Sequence, residues 1–297
     1  MDREFDQAPL DHREPEARKT RVVPLREFTR RYPTVAACVA VLLIMVILTI
    51  AAPYLGSNPL DIHPRDRLKA PSAEHWFGTD NLGREIYSRT LHGGRISLTV
   101  GLGVALLATV IGLMVGLISG YSRPVDAVMM RIMDGLMAIP EILLAITFVA
   151  ITSASVQNVI MAITIPEVPR VARLVRSIVL MIREQPYVEA AVSIGTGLPK
   201  MLLRHIFPNT VAPLLVQGTY VFAAAVITEA LLGFIGAGTP PEIPSWGNIM
   251  AGGRIYFQMA PWIIFFPGAF LTLTVLAVNV LGDGLRDMLD PRLARQM

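Results

Sequence analysis

Long apolar runs without a single charge constrain this chain more than any other feature. Residues 34–55 and 96–121 contain no Asp, Glu, Lys or Arg, and 53% of the 297 residues are hydrophobic against 16% charged. A soluble domain carries about 25% charged residues. A helix of 22 residues, the length of the first run, reaches about 33 Å and crosses a hydrocarbon core of about 30 Å. The sequence therefore predicts an all-α integral membrane protein.

Six transmembrane helices are predicted, near residues 34–55, 96–119, 125–153, 156 onward, 214–236 and 261–281. Pro140 should kink the third helix, because a proline inside a helix removes one backbone hydrogen bond. The fourth is free of charge only over 156–166, about 16 Å of helix, which is too short to cross a membrane. It must continue through Glu167 and Arg170, whose side chains then face protein or water.

Three glycines at a spacing of four mark one face of the second predicted helix. Gly112, Gly116 and Gly120 leave room for another helix to approach closely. We expect tight helix packing along this face and no further role for it.

Polar segments divide the chain and set its orientation. The divisions are a tail at 1–32, a first transmembrane helix at 33–56, an external segment at 57–95, a five-helix core at 96–285 and a tail at 286–297. Six spans put both chain ends on one side of the membrane. If both ends are cytoplasmic, 19 of the 26 Lys and Arg residues lie inside, as the positive-inside rule favours. Six of the seven exceptions lie in the external segment.

The cytoplasmic loop at 183–213 has the pattern of two short helices joined by a turn. Pro186 suits the first turn of a helix, and Glu189 lies near that helix's start, where negative charge is favoured. Gly195 and Gly197 flank a turn in which a positive φ is expected. Pro208 should end the second helix.

Apolar residues of the second short helix form a predicted ridge. Leu198, Leu202 and Ile206 share one face at i, i+4 and i+8, with Leu203 and Phe207 beside them. The ridge either folds back onto the chain's own transmembrane helices or docks into a groove on a soluble partner, as amphipathic helices do.

The same loop resembles the signature loop of permease subunits of type I ATP-binding-cassette importers. The resemblance rests on Glu189, Ala190, Ala191 and Gly195, followed by Pro208 and Asn209. His205 and Phe207 replace the Ile and Leu of the common signature. The ending His205-Ile206-Phe207-Pro208-Asn209 is similar to the dipeptide, oligopeptide and nickel branch of the family.

Further motifs resemble the C-type permease of that branch. Residues 75–89 are similar to its external Gly-Thr-Asp-x-x-Gly-Arg-Asp-x-x-Ser-Arg motif, with Glu85 in place of the usual Asp. Shorter matches occur at 133–140, 172–176, 245–247 and 281–292. The resemblance covers nearly the whole chain from about residue 26.

The resemblance implies a transport subunit of the bacterial cytoplasmic membrane, not an enzyme. It implies a homologous second permease, two ATPase subunits that hold ATP and Mg²⁺, a periplasmic or lipid-anchored binding protein, and surrounding membrane lipid. The implied cargo is a dipeptide or oligopeptide, with nickel, opine-type and glutathione-like substrates as alternatives. The implied coupling residues are Glu189, Ala190, Ala191, Gly195, Leu198, Leu202, His205, Ile206, Phe207, Pro208 and Asn209.

Other kinds of site find little support in the sequence. No Gly-x-x-x-x-Gly-Lys-Ser/Thr phosphate loop occurs, so ATP is expected on partner subunits and no cofactor on this chain. The five histidines show no paired metal-ligand spacing. No basic patch is interleaved with aromatic residues, which argues against nucleic acid as a partner.

Four carboxylates within the predicted transmembrane helices are candidates to line a path: Asp134, Glu141, Glu167 and Glu229. Ionisable groups at membrane depth are functional candidates by default. They can equally pair with Arg or backbone groups and brace the bundle. An ion-coupled secondary transporter is a remote alternative, because the inverted repeats that it requires are not evident. An intramembrane enzyme would need paired catalytic groups, and no predicted transmembrane helix contains a histidine.

Overall fold

The computed structural model describes residues 32–289, and these residues form helices without a named strand. The tail predictions for residues 1–31 and 290–297 lie outside the described residues. A 3₁₀ turn occupies Pro64–Asp66, and a π-helical turn occupies Met201–Ile206. The α-helices are α1 Pro33–Ile50, α2 Ala52–Leu55, α3 Ile86–Tyr121, α4 Arg123–Ala138, α5 Glu141–Thr152, α6 Val156–Arg183, α7 Pro186–Ser193, α8 Leu198–Lys200, α9 Phe207–Ile235, α10 Trp246–Gly253 and α11 Trp262–Leu289.

The helices confirm an all-α membrane-spanning fold, but the count of six is not exact. Between residues 32 and 289, four helical stretches are long and apolar enough to cross a membrane: α1, α3, α11 and the continuous stretch Leu198–Ile235. The bent pair α4 and α5 makes a fifth if it is counted as one span. The helix α6 is continuous over 28 residues, as predicted, and runs on through Glu167 and Arg170. Because α6 contains Glu167 and several arginines, it is not among the helices that are apolar enough to count as candidate spans.

Several boundaries differ from the sequence prediction for identifiable reasons. The first helix pauses at Ala51 and restarts as α2, which carries a proline in its first turn. The helix α3 begins at Ile86, ten residues before the predicted start, and its polar first turns had been assigned to the external segment. Arg89 in these turns is buried and donates from Nη1 to the Pro59 carbonyl at 3.2 Å. Composition hid these turns because it does not show that polar side chains such as Ser88, Arg89 and Thr90 are buried inside the protein.

Pro140 does more than kink its helix. The axes of α4 and α5 meet at 90° across Ile139 and Pro140. Ile139 is extended, with φ −90° and ψ 129°, because the ring of a following proline disfavours the helical region. The predicted kink is confirmed, and the chain makes a right-angle corner there.

The glycine face of α3 packs against α6. A Cβ atom on Gly116 would lie 2.6 Å from the Cβ of Val175, and one on Gly120 would lie 2.6 Å from the Cβ of Val179. Gly112 faces Val171 in the same way, at 2.5 Å. The predicted tight packing is confirmed, and we call this contact the α3–α6 seam.

Residues 57–85 form a compact cap at the end of the bundle where α1 ends and α3 begins. Asp80 organises it: Oδ1 accepts from the backbone N–H of Leu82 at 2.8 Å and of Arg84 at 2.9 Å, and Oδ2 accepts from Arg84 Nε at 2.6 Å. Phe77 stacks on Phe266 of α11, with ring centroids 4.0 Å apart. The cap is therefore fixed to the helix ends beneath it.

Candidate functional site

Two regions contain most of the predicted functional residues. The first is the hairpin, residues 186–206, which comprises α7, a turn, α8 and the π-helical turn at one end of the bundle. The second is the charged row, where α6 meets α4 and α5; its members are Asp126, Asp134, Glu141, Glu167, Arg170, Arg173 and Arg176.

The turn of the hairpin has a defined geometry centred on Gly195. This residue has φ +79°, and its N–H donates to the Val192 carbonyl at 2.9 Å. The N–H of Thr196 donates to the Ala191 carbonyl at 3.1 Å. Together these two bonds form a Schellman motif, in which a left-handed glycine closes a helix. The expected positive φ is confirmed at Gly195, where a Cβ would meet no atom within 4 Å, whereas Gly197 has an ordinary φ of −65°.

The second arm of the hairpin runs without interruption into a membrane-spanning helix. The prediction that Pro208 ends it is wrong, because Pro208 lies in the first turn of α9. A proline has no N–H to donate and its ring crowds the preceding turn. The chain adapts with a π-helical turn, in which the Phe207 N–H donates to the Leu202 carbonyl five residues back. A displacement of this arm would therefore move α9 directly.

The two faces of the hairpin have different environments. Val188, Ala191, Met201 and Ile206 are buried and belong to the main hydrophobic core. Five large side chains on the hairpin are at least 47% exposed: Tyr187, Val192, Ile194, Leu198 and Leu203. The predicted ridge is thus split, with Ile206 inside and Leu198 outside, because the π-helical turn changes the angle between successive side chains. The inner face folds back onto the chain's own helices, as the first of the two interpretations predicts, and docking of the outer face on a soluble partner stays a prediction.

Polar contacts connect the arms of the hairpin and leave one carboxylate free. Asn209 Nδ2 donates to the His205 carbonyl at 2.8 Å and to the Tyr187 hydroxyl at 3.4 Å, which joins the two arms. Glu189 lies in the first turn of α7, and its exposed carboxylate has no hydrogen bond or ion pair with any of residues 32–289. Ala190 is exposed beside it, while Leu202 and Phe207 are partly buried.

The charged row joins α6 to α4 and α5 in antiparallel order. Its three arginines are three residues apart on α6, so they lie near one face of that helix. The pairs are Arg170 Nη2 to Glu141 Oε2 at 3.1 Å, Arg173 Nη2 to Asp134 Oδ1 at 2.6 Å, and Arg176 to both oxygens of Asp126, with Nη2 to Oδ2 at 2.6 Å. The sequence offered Glu141 and Asp134 without naming their partners and did not single out Asp126, because pairing across 29 to 50 residues has no local signal.

One end of the row contains two carboxylates around a single guanidinium. Arg170 reaches Glu167 Oε1 from Nη1 at 2.7 Å and Glu141 from Nη2. The Thr228 hydroxyl on α9 donates to Glu141 Oε1 at 3.0 Å. Glu167 is only 1% exposed, and its Oε2 accepts no hydrogen bond from any described residue. We call Glu141, Glu167 and Arg170 the Glu–Arg–Glu cluster.

Glu229 lies apart from the charged row, fully buried where α3, α9 and α10 meet. The Ser97 hydroxyl donates to its Oε2 at 2.8 Å, and the Trp246 backbone N–H donates to Ser97 Oγ at 3.3 Å. Trp246 Nε1 donates to the Thr90 carbonyl at 3.0 Å. Sequence reasoning missed Ser97, which has no distinguishing pattern in its apolar surroundings. Among residues 32–289, no group of three His, Cys, Asp or Glu side chains is placed to hold a metal ion.

Sequence comparison gives consistent matches over most of the chain. The family described as "Binding-protein-dependent transport system inner membrane component" matches residues 108–295. A probable peptide ABC transporter permease protein, y4tQ of Sinorhizobium fredii, is 54% identical over 90% of this chain and 92% of its own. The dipeptide transport system permease protein DppC of Alkalihalophilus pseudofirmus is 43% identical, over 94% and 93%. The glutathione transport system permease protein GsiD of Pectobacterium atrosepticum is 42% identical, over 90% of each chain.

A solved structure has a similar fold. A chain of the MetNI methionine ABC transporter, in an inward-facing conformation, superposes with a TM-score of 0.54 and 21% identity. The match covers 68% of this chain and 96% of that one. At this level of identity the likeness concerns the fold alone.

Proposed function

Because this chain belongs to the family of binding-protein-dependent transport system inner membrane components, and is a permease of an ATP-binding-cassette importer, we propose that its cargo is peptides. Relatives named for peptide and dipeptide transport, at 43% to 54% identity over at least 90% of the chain, support this substrate class. Glutathione-like peptides are the second candidate, supported by the relative named for glutathione transport.

The chain works beside a homologous second permease in the bacterial cytoplasmic membrane. The supporting observation is the exposed corner at Ile139 and Pro140, next to the charged row. Non-helical backbone at membrane depth is tolerated only where protein covers it or where it lines a water-filled cavity. A second permease that faces this corner covers part of it with protein and forms the other half of a water-filled path. A binding protein delivers substrate at the cap end.

The outer face of the hairpin docks on an ATPase subunit, and this is how ATP hydrolysis moves the membrane helices. The observation that carries the proposal is the combination of exposed apolar side chains, the unpaired Glu189 and a second arm continuous with α9. ATP and Mg²⁺ belong to the two ATPase subunits. In this arrangement both chain ends and the hairpin are cytoplasmic.

Uptake and purification from the same cells test the function. Deleting the gene should abolish uptake of a radiolabelled dipeptide, and a tagged copy should restore it. Purification of the tagged chain should bring down a second permease and ATPase subunits. Uptake unaffected by the deletion would contradict the peptide assignment, and an active transporter made of this chain alone would contradict the heteromeric assembly. Unlabelled glutathione in excess separates the two cargo candidates by competition.

Single-cysteine labelling tests the orientation. In a chain with Cys38→Ser, a membrane-impermeant thiol reagent added outside the cell should label Ser72→Cys in the cap. It should not label Ser193→Cys in the hairpin, and both side chains are exposed. The opposite labelling pattern would invert the topology.

A further inference from the structure

The Glu–Arg–Glu cluster has an unequal number of acidic and basic groups. Among residues 32–289, Arg170 is the only basic side chain that pairs with the cluster's carboxylates, and each of its two terminal nitrogens is engaged by a different carboxylate. The other two pairs of the charged row match one arginine with one aspartate. A guanidinium stays charged in proteins and carries a single positive charge. With both carboxylates ionised, the cluster therefore has one negative charge without a counter-charge.

One acceptor atom in the cluster is also unused. Oε2 of Glu167 accepts no hydrogen bond from residues 32–289, although the side chain is 99% buried. This oxygen is not among the fully enclosed side-chain atoms that lack a partner within the described residues, so it keeps a trace of exposed surface that a donor from outside the chain can approach. The cluster therefore lacks one positive charge and one hydrogen-bond donor, and a cationic donor group would supply both.

The cluster lies near the middle of the bundle and is open on one side. Arg170 is close to the midpoint of α6, with Val156 and Arg183 as its ends. The Arg170 side chain is 47% exposed and that of Glu141 is 23% exposed, beside the corner at Ile139 and Pro140. Charged groups inside membrane proteins face protein or a water-filled cavity and mark the routes of polar solutes.

We propose that the Glu–Arg–Glu cluster is a binding station for a primary ammonium group of the transported solute, at the middle of the path. This inference rests on the proposed peptide-import function and names the α-ammonium of a peptide as the recognised group. An ammonium supplies three donors and one positive charge, which matches the free oxygen of Glu167 and the unbalanced charge. A solute carboxylate would instead meet two acidic groups that already occupy Arg170.

Charged thiol reagents of similar size measure this preference without any knowledge of the solute. The complete complex, with partner permease and ATPase subunits, is reconstituted in lipid nanodiscs with Cys38→Ala and Ile139→Cys in this chain. Ile139 is 47% exposed and two residues from Glu141. The tagged chain is then treated with 2-aminoethyl or 2-sulfonatoethyl methanethiosulfonate. The rate at which each reagent modifies the introduced cysteine is divided by the rate at which the same reagent modifies a small thiol in solution. The aminoethyl reagent carries the same primary ammonium as a peptide.

The cationic reagent should react at least fivefold faster than the anionic one. Glu167→Gln, and independently Glu141→Gln, should lower this ratio at least twofold. Asp126→Asn makes the same charge change at a site about 18 Å along α4 from the corner. This separation exceeds the Debye length of about 10 Å at 0.1 M salt, so the variant should leave the ratio unchanged.

Three results would overturn the inference: a ratio below five, a ratio unaffected by both glutamine variants, or no reaction with either reagent. The last result would mean that the partner permease covers the cluster with protein. Dipeptide uptake by cells carrying the same cysteine chain is measured in parallel. Normal uptake with a flat ratio removes the ammonium site and leaves the peptide importer, whereas absent dipeptide uptake in the unaltered chain removes the peptide assignment itself.

Discussion

The α3–α6 seam and the hairpin both depend on glycine, for opposite reasons. At Gly116 the backbone is ordinary helix and space is missing, because a Cβ would lie 2.6 Å from the Val175 Cβ and 2.7 Å from the Ala172 carbonyl oxygen. At Gly195 a Cβ would have no atom within 4 Å, but the backbone is in the left-handed region, with φ +79°. The seam is closed within this chain, whereas the hairpin has a fixed shape and an outer face that residues 32–289 leave exposed.

This difference predicts where a substitution will act. Changes in the seam should affect whether the chain folds and stays in the membrane. Changes on the outer face of the hairpin should leave the amount of chain unaffected and act on its partners. Membrane abundance of the chain is therefore the measurement that separates the two regions.

The largest loss of abundance should follow Gly116→Ala. The added methyl must push two helices apart, and overpacking a well-packed contact costs about 1–3 kcal/mol. We expect at least a fivefold fall in membrane abundance by immunoblot. Gly135→Ala on α4 is the matched control, because a Cβ there would meet nothing within 4 Å. If Gly116→Ala accumulates as well as Gly135→Ala, the seam is not closed as described.

A smaller loss should follow disruption of the charged row at Arg176. This arginine makes the two-point contact with Asp126, and both side chains are partly exposed, so the pair is worth about 1 kcal/mol. Either Arg176→Asp or Asp126→Arg should lower abundance about two- to fourfold, because each places like charges together. Combining both changes should restore most of the loss, and equal loss in the double variant would show that the pairing is not the cause.

The smallest change in abundance should come from Gly195, where function should change instead. Asn adopts the left-handed region readily, whereas an ordinary residue loses about 1–2 kcal/mol there and a β-branched one is further restricted. Gly195→Asn should keep at least half of the peptide uptake and Gly195→Val should abolish it, both at normal abundance. The strain is in the backbone, since no neighbouring helix is close enough to clash. Uptake at the wild-type level in Gly195→Val would remove the hairpin from the mechanism.

The features that the sequence predicted well depend on local pattern. Long apolar runs placed the spans of α1, α3, α9 and α11, and the glycine spacing predicted the seam, because each pattern is contained in one helix. The residues of the signature loop located the hairpin in the sequence and also indicated the family. The positive φ at Gly195 followed from glycine chemistry alone.

The features that the sequence missed depend on contacts or on competition between local rules. Pro208 normally stops a helix, yet a π-helical turn lets the chain continue into α9. Arg170 pairs with Glu167 three residues away on its own helix, but its second partner, Glu141, lies 29 residues away on α5, and no local pattern links that pair. The polar start of α3 was assigned to the cap because burial of Arg89 is invisible in composition.

The most direct test of the account is the charge on the outer face of the hairpin. Glu189 is exposed and unpaired among the described residues, so Glu189→Lys should leave chain abundance and the partner permease unchanged. ATPase subunits recovered with the tagged chain should fall at least fivefold, and peptide uptake should fall with them. Glu242→Lys, an equally exposed change near the cap end, should alter neither. Full ATPase recovery and uptake in Glu189→Lys, or a loss of chain abundance that precedes both, would contradict the claim that this hairpin couples ATP hydrolysis to the membrane helices.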